Sequence, residues 1–343
     1  MNAEEEVKEG GVSYPMRVLA GVDIGGTKCA ISLAEFHESG FKPFVREVFP
    51  TPVGFQATLH QLIETLHSVL SQTSDTELTA IGISCGSPLD AKRGIILSPP
   101  NLPGWDGVDI VTPFRDTFRV PVALQNDANA CALAEWRFGA GRGVNSMIFL
   151  TFGTGMGAGL ILDGKLYCGV NGMAGEIGHV RMADNGPVGY GKEGSFEGFC
   201  SGGGIGRLAR ARTAAWLAEG RSTSLAESSA RIPSITAKDV GLAAQAGDEL
   251  AAEIMATVGG YLGRGLALLV DLFNPEVIVI GSIYVRQQAL LEPVVMSVLR
   301  AESLSLSRSV CRILPAGLGE NVGDYAGLSV AHDVFLDRSL TGE

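Results

Sequence analysis

The strongest constraint in this 343-residue sequence is an arrangement that occurs twice: an apolar strand, a glycine turn and a second apolar strand. The first copy is RVLAGVDI, then Gly25-Gly26, then CAISLAEF; the second is NSMIFLTF, GTGMGAG and LILDGKLY. Strand, turn, strand reads as a hairpin. Glycine at the turn leaves backbone N–H groups uncovered by side chains, and such groups can cradle phosphate oxygens. After the first hairpin, FQATLHQLIETLHSVLSQ carries Leu59, Leu62, Ile63, Leu66, Val69 and Leu70 at helical spacing. Buried strands ELTAIGISC and VPVALQ follow, then a helix over DANACALAEWRFGAG. After the second hairpin come helices in SGGGIGRLARARTAAWLAEG, TAKDVGLAAQAG and DELAAEIMATVGGYLGRGLALLVDLF. Thr236 and Asp239 form a capping box in this reading. The strand PEVIVIGS and a closing helix over DYAGLSVAHDVFL end the series, and residues 221–235 read as a loop. What repeats is the arrangement and not the residues, so the chain reads as two similar α/β halves.

Length agrees with this, because a chain of 343 residues suggests two domains of roughly 150 residues each. Glycine, at 46 residues, is nearly twice the usual share of about 7%. Without a collagen-like period, that excess points to tight turns and loops that approach a ligand closely. The formal charge of −11 disfavours nucleic acid and anionic membranes as partners. The six cysteines, Cys29, Cys85, Cys131, Cys168, Cys200 and Cys311, show no zinc spacing and read as free thiols. The first ten residues, MNAEEEVKEG, are acidic where a secretory signal needs positive charge, and residues 1–15 read as a solvated tail. The most apolar region, GLALLVDLFNPEVIVIG, is interrupted by Asp271, Asn274, Pro275 and Glu276, too many breaks for a bilayer span. The expected location is the cytoplasm.

Three glycine motifs suggest nucleotide sites and fail on context. GVDIGGTK has the gap of a P-loop but reverses its Lys-Thr order and leads into a strand. GPVGYGKE, at 186–193, places Glu193 where a magnesium-holding hydroxyl is needed. GTGMGA, at 153–158, matches a dinucleotide fingerprint but is followed by a strand, not a helix. That argues against a nicotinamide oxidoreductase. Two glycine hairpins facing each other across a cleft remain as a phosphate device. Asp127 stands where a buried strand meets a helix; it reads equally as a helix cap and as a carboxylate at the ligand end of an open sheet. Glu176 and His179 in GEIGHV, with Glu197 downstream, form a candidate polar cluster, although a lone histidine in an apolar stretch is more often a core residue. NLPGW at 101–105 reads as a rigid turn.

Taken together, these residues resemble the ROK family of repressors, open reading frames and sugar kinases, within the actin-like, hexokinase-like ATPase fold. DIGGTK at 23–28, NLPGW at 101–105, Asn126-Asp127, GTGMGAG at 153–159, GEIGH at 175–179 and PEVIVIG at 275–281 stand in the family's order, from about Val18 to the C-terminal helix. The resemblance implies an α/β fold of two lobes around a cleft. A small lobe would span 16–125, completed by the helix at 325–338, and a large lobe 126–324. It implies ATP with Mg²⁺ as cofactor, a hexose as substrate and a homodimer as the usual assembly. Asp23 would help place Mg²⁺, and Gly25, Gly26, Thr27 and Lys28 would approach the phosphates. Gly153, Thr154, Gly155 and Gly281 would hold the nucleotide from the other lobe. Asn101, Asn126, Asp127, Glu176, His179 and Glu197 would bind sugar hydroxyls, with Asp127 as the catalytic base. Phosphoryl transfer needs this kind of positioning and proton acceptance.

One segment departs from the family. Where its members carry three zinc-binding cysteines, this chain has VGYGKEGSFE at 188–197, with Val188, Tyr190 and Ser195 at the cysteine positions. No structural zinc is expected, since none of these supplies a thiolate. The expected substitute is an apolar cluster of Val188, Tyr190, Phe196 and Phe199, with a polar partner for the tyrosine hydroxyl. The implied activity is ATP-dependent phosphorylation of glucose or a close relative, at the 6-hydroxyl. The alternative is a sugar-sensing transcriptional regulator of the same family. That reading is disfavoured by the short stretch before Asp23, which leaves no room for a DNA-binding domain.

Overall fold

The computed structural model describes residues 15–37 and 40–341. All but Pro15 of the expected acidic tail lies outside the described residues. The first half contains β1 (Met16–Ile24), β2 (Lys28–His37), β3 (Gly40–Pro50), α1 (Phe55–Ser71) and β4 (Thr76–Cys85). Short strands β5 (Leu89–Asp90), β6 (Ile95–Leu97) and β7 (Asp106–Asp109), helix α2 (Val111–Phe118) and β8 (Val122–Asn126) complete it. The helix α3 (Asp127–Phe138) leads into the second half, which opens with β9 (Met147–Phe152), β10 (Met156–Leu162) and β11 (Lys165–Tyr167). A small hairpin, β12 (Val188–Gly189) and β13 (Lys192–Glu193), precedes the helices α4 (Phe196–Phe199), α5 (Gly202–Ala218), α6 (Ala237–Gln245) and α7 (Glu249–Phe273). Then come β14 (Val277–Ile280), α8 (Ile283–Glu302), α9 (Ser305–Val310), β15 (Arg312–Pro315) and α10 (Val322–Thr341).

The repeat is complete at the level of topology. The first sheet runs β3-β2-β1-β4-β8 and the second β11-β10-β9-β14-β15, so each has the order third, second, first, fourth, fifth. In each, the first three strands are antiparallel and the last two join in parallel. The central strands are covered on both faces, which is why β1, β4, β9 and β14 read as continuous apolar runs. Each half has its own core: Leu62, Leu66, Ile81, Ile83, Trp105 and Phe114 in the first; Leu150, Phe196, Leu262, Leu266 and Tyr284 in the second. The α7 helix is long and apolar enough to cross a membrane, yet half of that stretch is packed inside the second core.

The halves exchange their last helices. α3 follows β8 of the first sheet but packs on β9 and β10; α10 follows β15 of the second sheet but packs on β1, β4 and α3. Glycines permit this close contact. A Cβ at Gly82 would collide with the backbone of Gly327 and Ala331, and one at Gly21 would lie 2.8 Å from the Leu328 amide. At the far end of α3, the buried Glu135 accepts the amides of Ala140, Gly317 and Leu318. This ties α3 to the loop that leads into α10.

The hairpins, α1, α3, α5, α6, α7 and β14 stand where the sequence places them, and Thr236 with Asp239 forms a full capping box. Residues 221–235 are irregular apart from one 3-10 turn, Ser229–Ser234. The apolar cluster expected at 188–199 is corrected. Phe196 and Phe199 are buried, but Val188 is 43% exposed and Tyr190 63% exposed. The segment is ordered by hydrogen bonds instead. Ser195 caps α4 by accepting the Gly198 amide and bridges to Arg181. The Arg181 guanidinium donates to the Glu193 carbonyl, and the Lys192 ammonium to the His179 carbonyl. Phe199 stacks on Tyr261 of α7.

Candidate functional site

A cleft of about 650 Å³ lies between the two sheets. Both glycine turns, one at each sheet, and Asp127 line it. The parallel strands β1, β4 and β8 deliver their C-terminal ends here, the place where open α/β sheets bind ligands.

The first turn is braced by a residue with no signal in the sequence. Thr51, at the end of β3, donates its hydroxyl to the Gly25 carbonyl at 2.6 Å and its amide to the Thr27 carbonyl at 3.1 Å. Gly26 faces the backbone of Asn101, and a Cβ there would collide with it. Asn101, in the NLPGW turn, is thereby held against the phosphate turn, with Leu102 and Trp105 buried beneath. In the second turn, Thr151 accepts the Gly157 amide at 3.0 Å, and Glu197 accepts the Met156 amide at 3.1 Å. Glu197 therefore joins the acidic end of the cleft to the glycine turn.

Asn126, not Asp127, caps α3: its side chain accepts the Asn129 amide at 2.7 Å. Asp127 is the first helical residue, and its Oδ1 accepts the Ala128 amide at 2.8 Å. Gln125 and Asn129 lock this corner through their own side-chain bond at 3.0 Å. Asp127 opens on the cleft, but the surrounding protein walls remove enough water to push its carboxyl above the usual range; the backbone amides pull it partly back. Glu176 is raised mainly by desolvation and then by the charges of Asp127 and Glu197, while His179 lowers it. The Tyr190 ring adjoins His179, its centroid 6.2 Å from that of the imidazole.

Asp23 is half-buried at the end of β1, and its carboxyl is pushed up to about 7. Desolvation is the main cause, followed by Asp127 and Asp324; Lys28 and Arg46 oppose it. Arg46 also pairs with Asp324 at the start of α10. A raised acid binds its proton more tightly in the folded protein than in the unfolded chain. The stability this confers is full below about pH 3.8 and is lost as pH rises through about 7. Asp23→Asn is therefore expected to stabilise the ligand-free protein at pH 8 by on the order of 1–3 kcal/mol, and by clearly less at pH 5. Denaturant midpoints at the two pH values check this; an equal effect at both would contradict it.

Of the residues singled out from sequence, Asp23, Gly25, Gly26, Thr27, Lys28, Asn101, Asn126, Asp127, Gly153, Thr154, Gly155, Glu176, His179 and Glu197 all line the one cleft. Gly281 does not. It is buried at the end of β14, donating to the Leu150 carbonyl. Its neighbour Ser282 stands over Gly153 instead, with the Ser282 hydroxyl 3.5 Å from where a Gly153 Cβ would be. Pro88, Met173 and Tyr190 also line the cleft; Met173 carried no signal in the sequence, and Tyr190 was expected in an apolar cluster instead.

The donors suit a hard divalent cation held partly by phosphates and water, because Asp23 and Asp127 offer carboxylates on one cavity. Among the described residues, no cluster of three or more His, Cys, Asp or Glu forms a metal site. A tetrahedral zinc at 188–195 does not fit. Val188 has no donor atom, Tyr190 supplies no thiolate, and the Ser195 hydroxyl is buried between the Gly189 carbonyl and the Gly198 amide. Purified protein is expected to carry below about 0.1 zinc per chain, with activity indifferent to a chelator once magnesium is restored. Elemental analysis checks this, and a stoichiometric zinc would contradict it.

The chain is similar to proteins of one known family over most of its length. A glucokinase of Halalkalibacterium halodurans is 35% identical over 272 residues, covering 78% of this chain and 80% of the relative. The crystal structure of a ROK family glucokinase from Streptomyces griseus, solved with glucose and AMPPNP, superimposes with a TM-score of 0.74 at 29% identity. It covers 92% of this chain and 99% of that one. A ROK family transcriptional regulator, a homologue of the Escherichia coli MLC protein, gives a TM-score of 0.82 at 25% identity. That match covers 95% of this chain and 80% of the regulator. The ROK family model matches residues 19–333, nearly the whole described chain, and the protein belongs to the ROK family.

Proposed function

We propose that this protein is an ATP-dependent hexose kinase that phosphorylates glucose or a close relative at the 6-hydroxyl, with Asp127 as general base. The observation that carries the reading is the position of Asp127: one carboxylate in the cleft that receives both glycine turns and the Glu176–His179–Glu197 cluster. The acidic cluster with Asn101 and Asn126 suits a polyol, because each hydroxyl both donates and accepts. Gly25 to Lys28 and Gly153 to Gly155 offer backbone amides, a hydroxyl and an ammonium to the phosphates from both sides. Asp23 and Asp127 are the residues that would face Mg²⁺, which when bound neutralises charge on the transferred phosphoryl group. Asp127 accepts the proton of the attacking hydroxyl, and its raised carboxyl makes it a better acceptor near neutrality.

The regulator reading has the higher TM-score on its side. Sugar sensing uses only the acidic end of the cleft, whereas paired phosphate turns facing a base serve phosphoryl transfer. A coupled ADP assay over glucose, mannose, fructose, allose and N-acetylated amino sugars tests the choice. Hexose-dependent ADP release supports the kinase. Sugar binding with no ADP release for any of them supports the sensor.

A further inference from the structure

The hairpin formed by β12 and β13 pairs Val188 with Glu193 and Gly189 with Lys192, leaving a two-residue turn, Tyr190-Gly191. Both turn residues have positive φ, 44° at Tyr190 and 75° at Gly191. A two-residue turn with both central residues in this region is the type I′ hairpin turn, which takes Asn, Asp or Gly at its first position. A bulky aromatic side chain there is strained. Its burial offsets little of that strain, because Tyr190 is 63% exposed.

What Tyr190 does have is a place. It lines the cleft that holds Asn101, Asp127, Glu176, His179 and Glu197. Its ring plane stands 78° from that of His179, with centroids 6.2 Å apart, so the two rings make an L-shaped corner. The hairpin is fixed to the His179 turn by the Lys192 ammonium on the His179 carbonyl at 2.8 Å and by Arg181 on the Glu193 carbonyl at 2.9 Å. The corner is therefore built into the backbone and does not depend on a flexible loop. Histidine nitrogens suit hydroxyl groups, and an aromatic face suits the C–H bonds of a pyranose. Tyr190 thus adjoins His179 on the lining of the cleft that also holds Asp127 and Glu176.

We propose that Tyr190 is a sugar-contacting residue that forms a wall of the hexose subsite beside His179, its ring packing on the C–H face of a pyranose. The assignment rests on the hexose-kinase reading and deepens it. It also accounts for a strained, exposed tyrosine at the position where a type I′ turn favours asparagine or glycine.

The test compares the wild type with Tyr190→Gly and Tyr190→Phe. Glycine relieves the turn, so the unfolding midpoint of Tyr190→Gly is expected to equal or exceed that of the wild type. The KM for the best hexose of the ADP assay is expected to rise about tenfold in Tyr190→Gly, while the KM for ATP stays within about twofold. Tyr190→Phe keeps the ring and should hold the hexose KM within about threefold. An unchanged hexose KM in Tyr190→Gly overturns the assignment, as does a joint rise of both KM values with a lowered midpoint, which would mark a scaffolding residue. Calorimetric titration of the same hexose without ATP separates this proposal from the kinase reading. Hexose binding without turnover, lost in Tyr190→Gly, sustains the wall and removes the kinase. Turnover with a wild-type KM in Tyr190→Gly sustains the kinase and removes the wall. A wild type that neither binds nor phosphorylates any hexose of the panel overturns both.

Discussion

Asp127→Asn is expected to lower turnover by about 10²-fold or more, with the fold intact and hexose binding little changed. The reason is local. The asparagine side-chain oxygen can still accept the Ala128 amide, now at 2.8 Å from Oδ1, and Asn126 still caps the helix, so α3 keeps its start. What disappears is the ability to take a proton from an attacking hydroxyl. Steady-state rates beside a circular-dichroism spectrum separate this from unfolding. Near-normal turnover in a folded variant would remove Asp127 from the base role.

The second large effect concerns the exchange of helices between the halves. Gly82→Val is expected to destabilise the protein by more than about 3 kcal/mol. The added Cβ meets the backbone of α10 at Gly327 and Ala331, which cannot rotate away as a side chain could. Moving α10 outward would also shift Gly323 and Asp324, which stand beside Asp23. Gly260→Ala in α7 is the control. A Cβ there meets nothing within 4 Å, so the change should be neutral or stabilising by about 0.5–1 kcal/mol. Denaturant midpoints that fall equally in both variants would show that the contact between α10 and the first sheet is looser than described.

The parts legible in the sequence were those where one local signal fixes the chemistry. Two glycine turns between apolar strands needed no tertiary information, and neither did the strand-to-helix corner at Asp127. The order of the strands was not legible, because pairing depends on contacts between remote segments. β3 was missed: it is an edge strand with Pro43, Lys42, Arg46 and Glu47, and its solvent-facing residues obscure the apolar alternation. With it went Thr51, the brace of the first turn. Strands β5, β6 and β7 span two to four residues each, too short for any period. The segment at 188–199 was misread for a different reason. Its apolar residues suggested packing, but the turn at Tyr190-Gly191 leaves the tyrosine largely exposed at the cleft, while Ser195 and the Arg181 and Lys192 bonds do the ordering. Gly281 was grouped with the nucleotide residues only through the family resemblance of PEVIVIG, not through a local signal of its own. The structure buries it and presents Ser282.

Phosphorus-31 NMR of the product mixture tests the central claim most directly. With glucose, ATP and Mg²⁺, the account predicts ADP and a glucose 6-phosphate monoester appearing in equal amounts, and neither appearing with Asp127→Asn on the same timescale. Intact ATP with glucose and with every other hexose of the panel, or free phosphate released with no sugar phosphate, would contradict it.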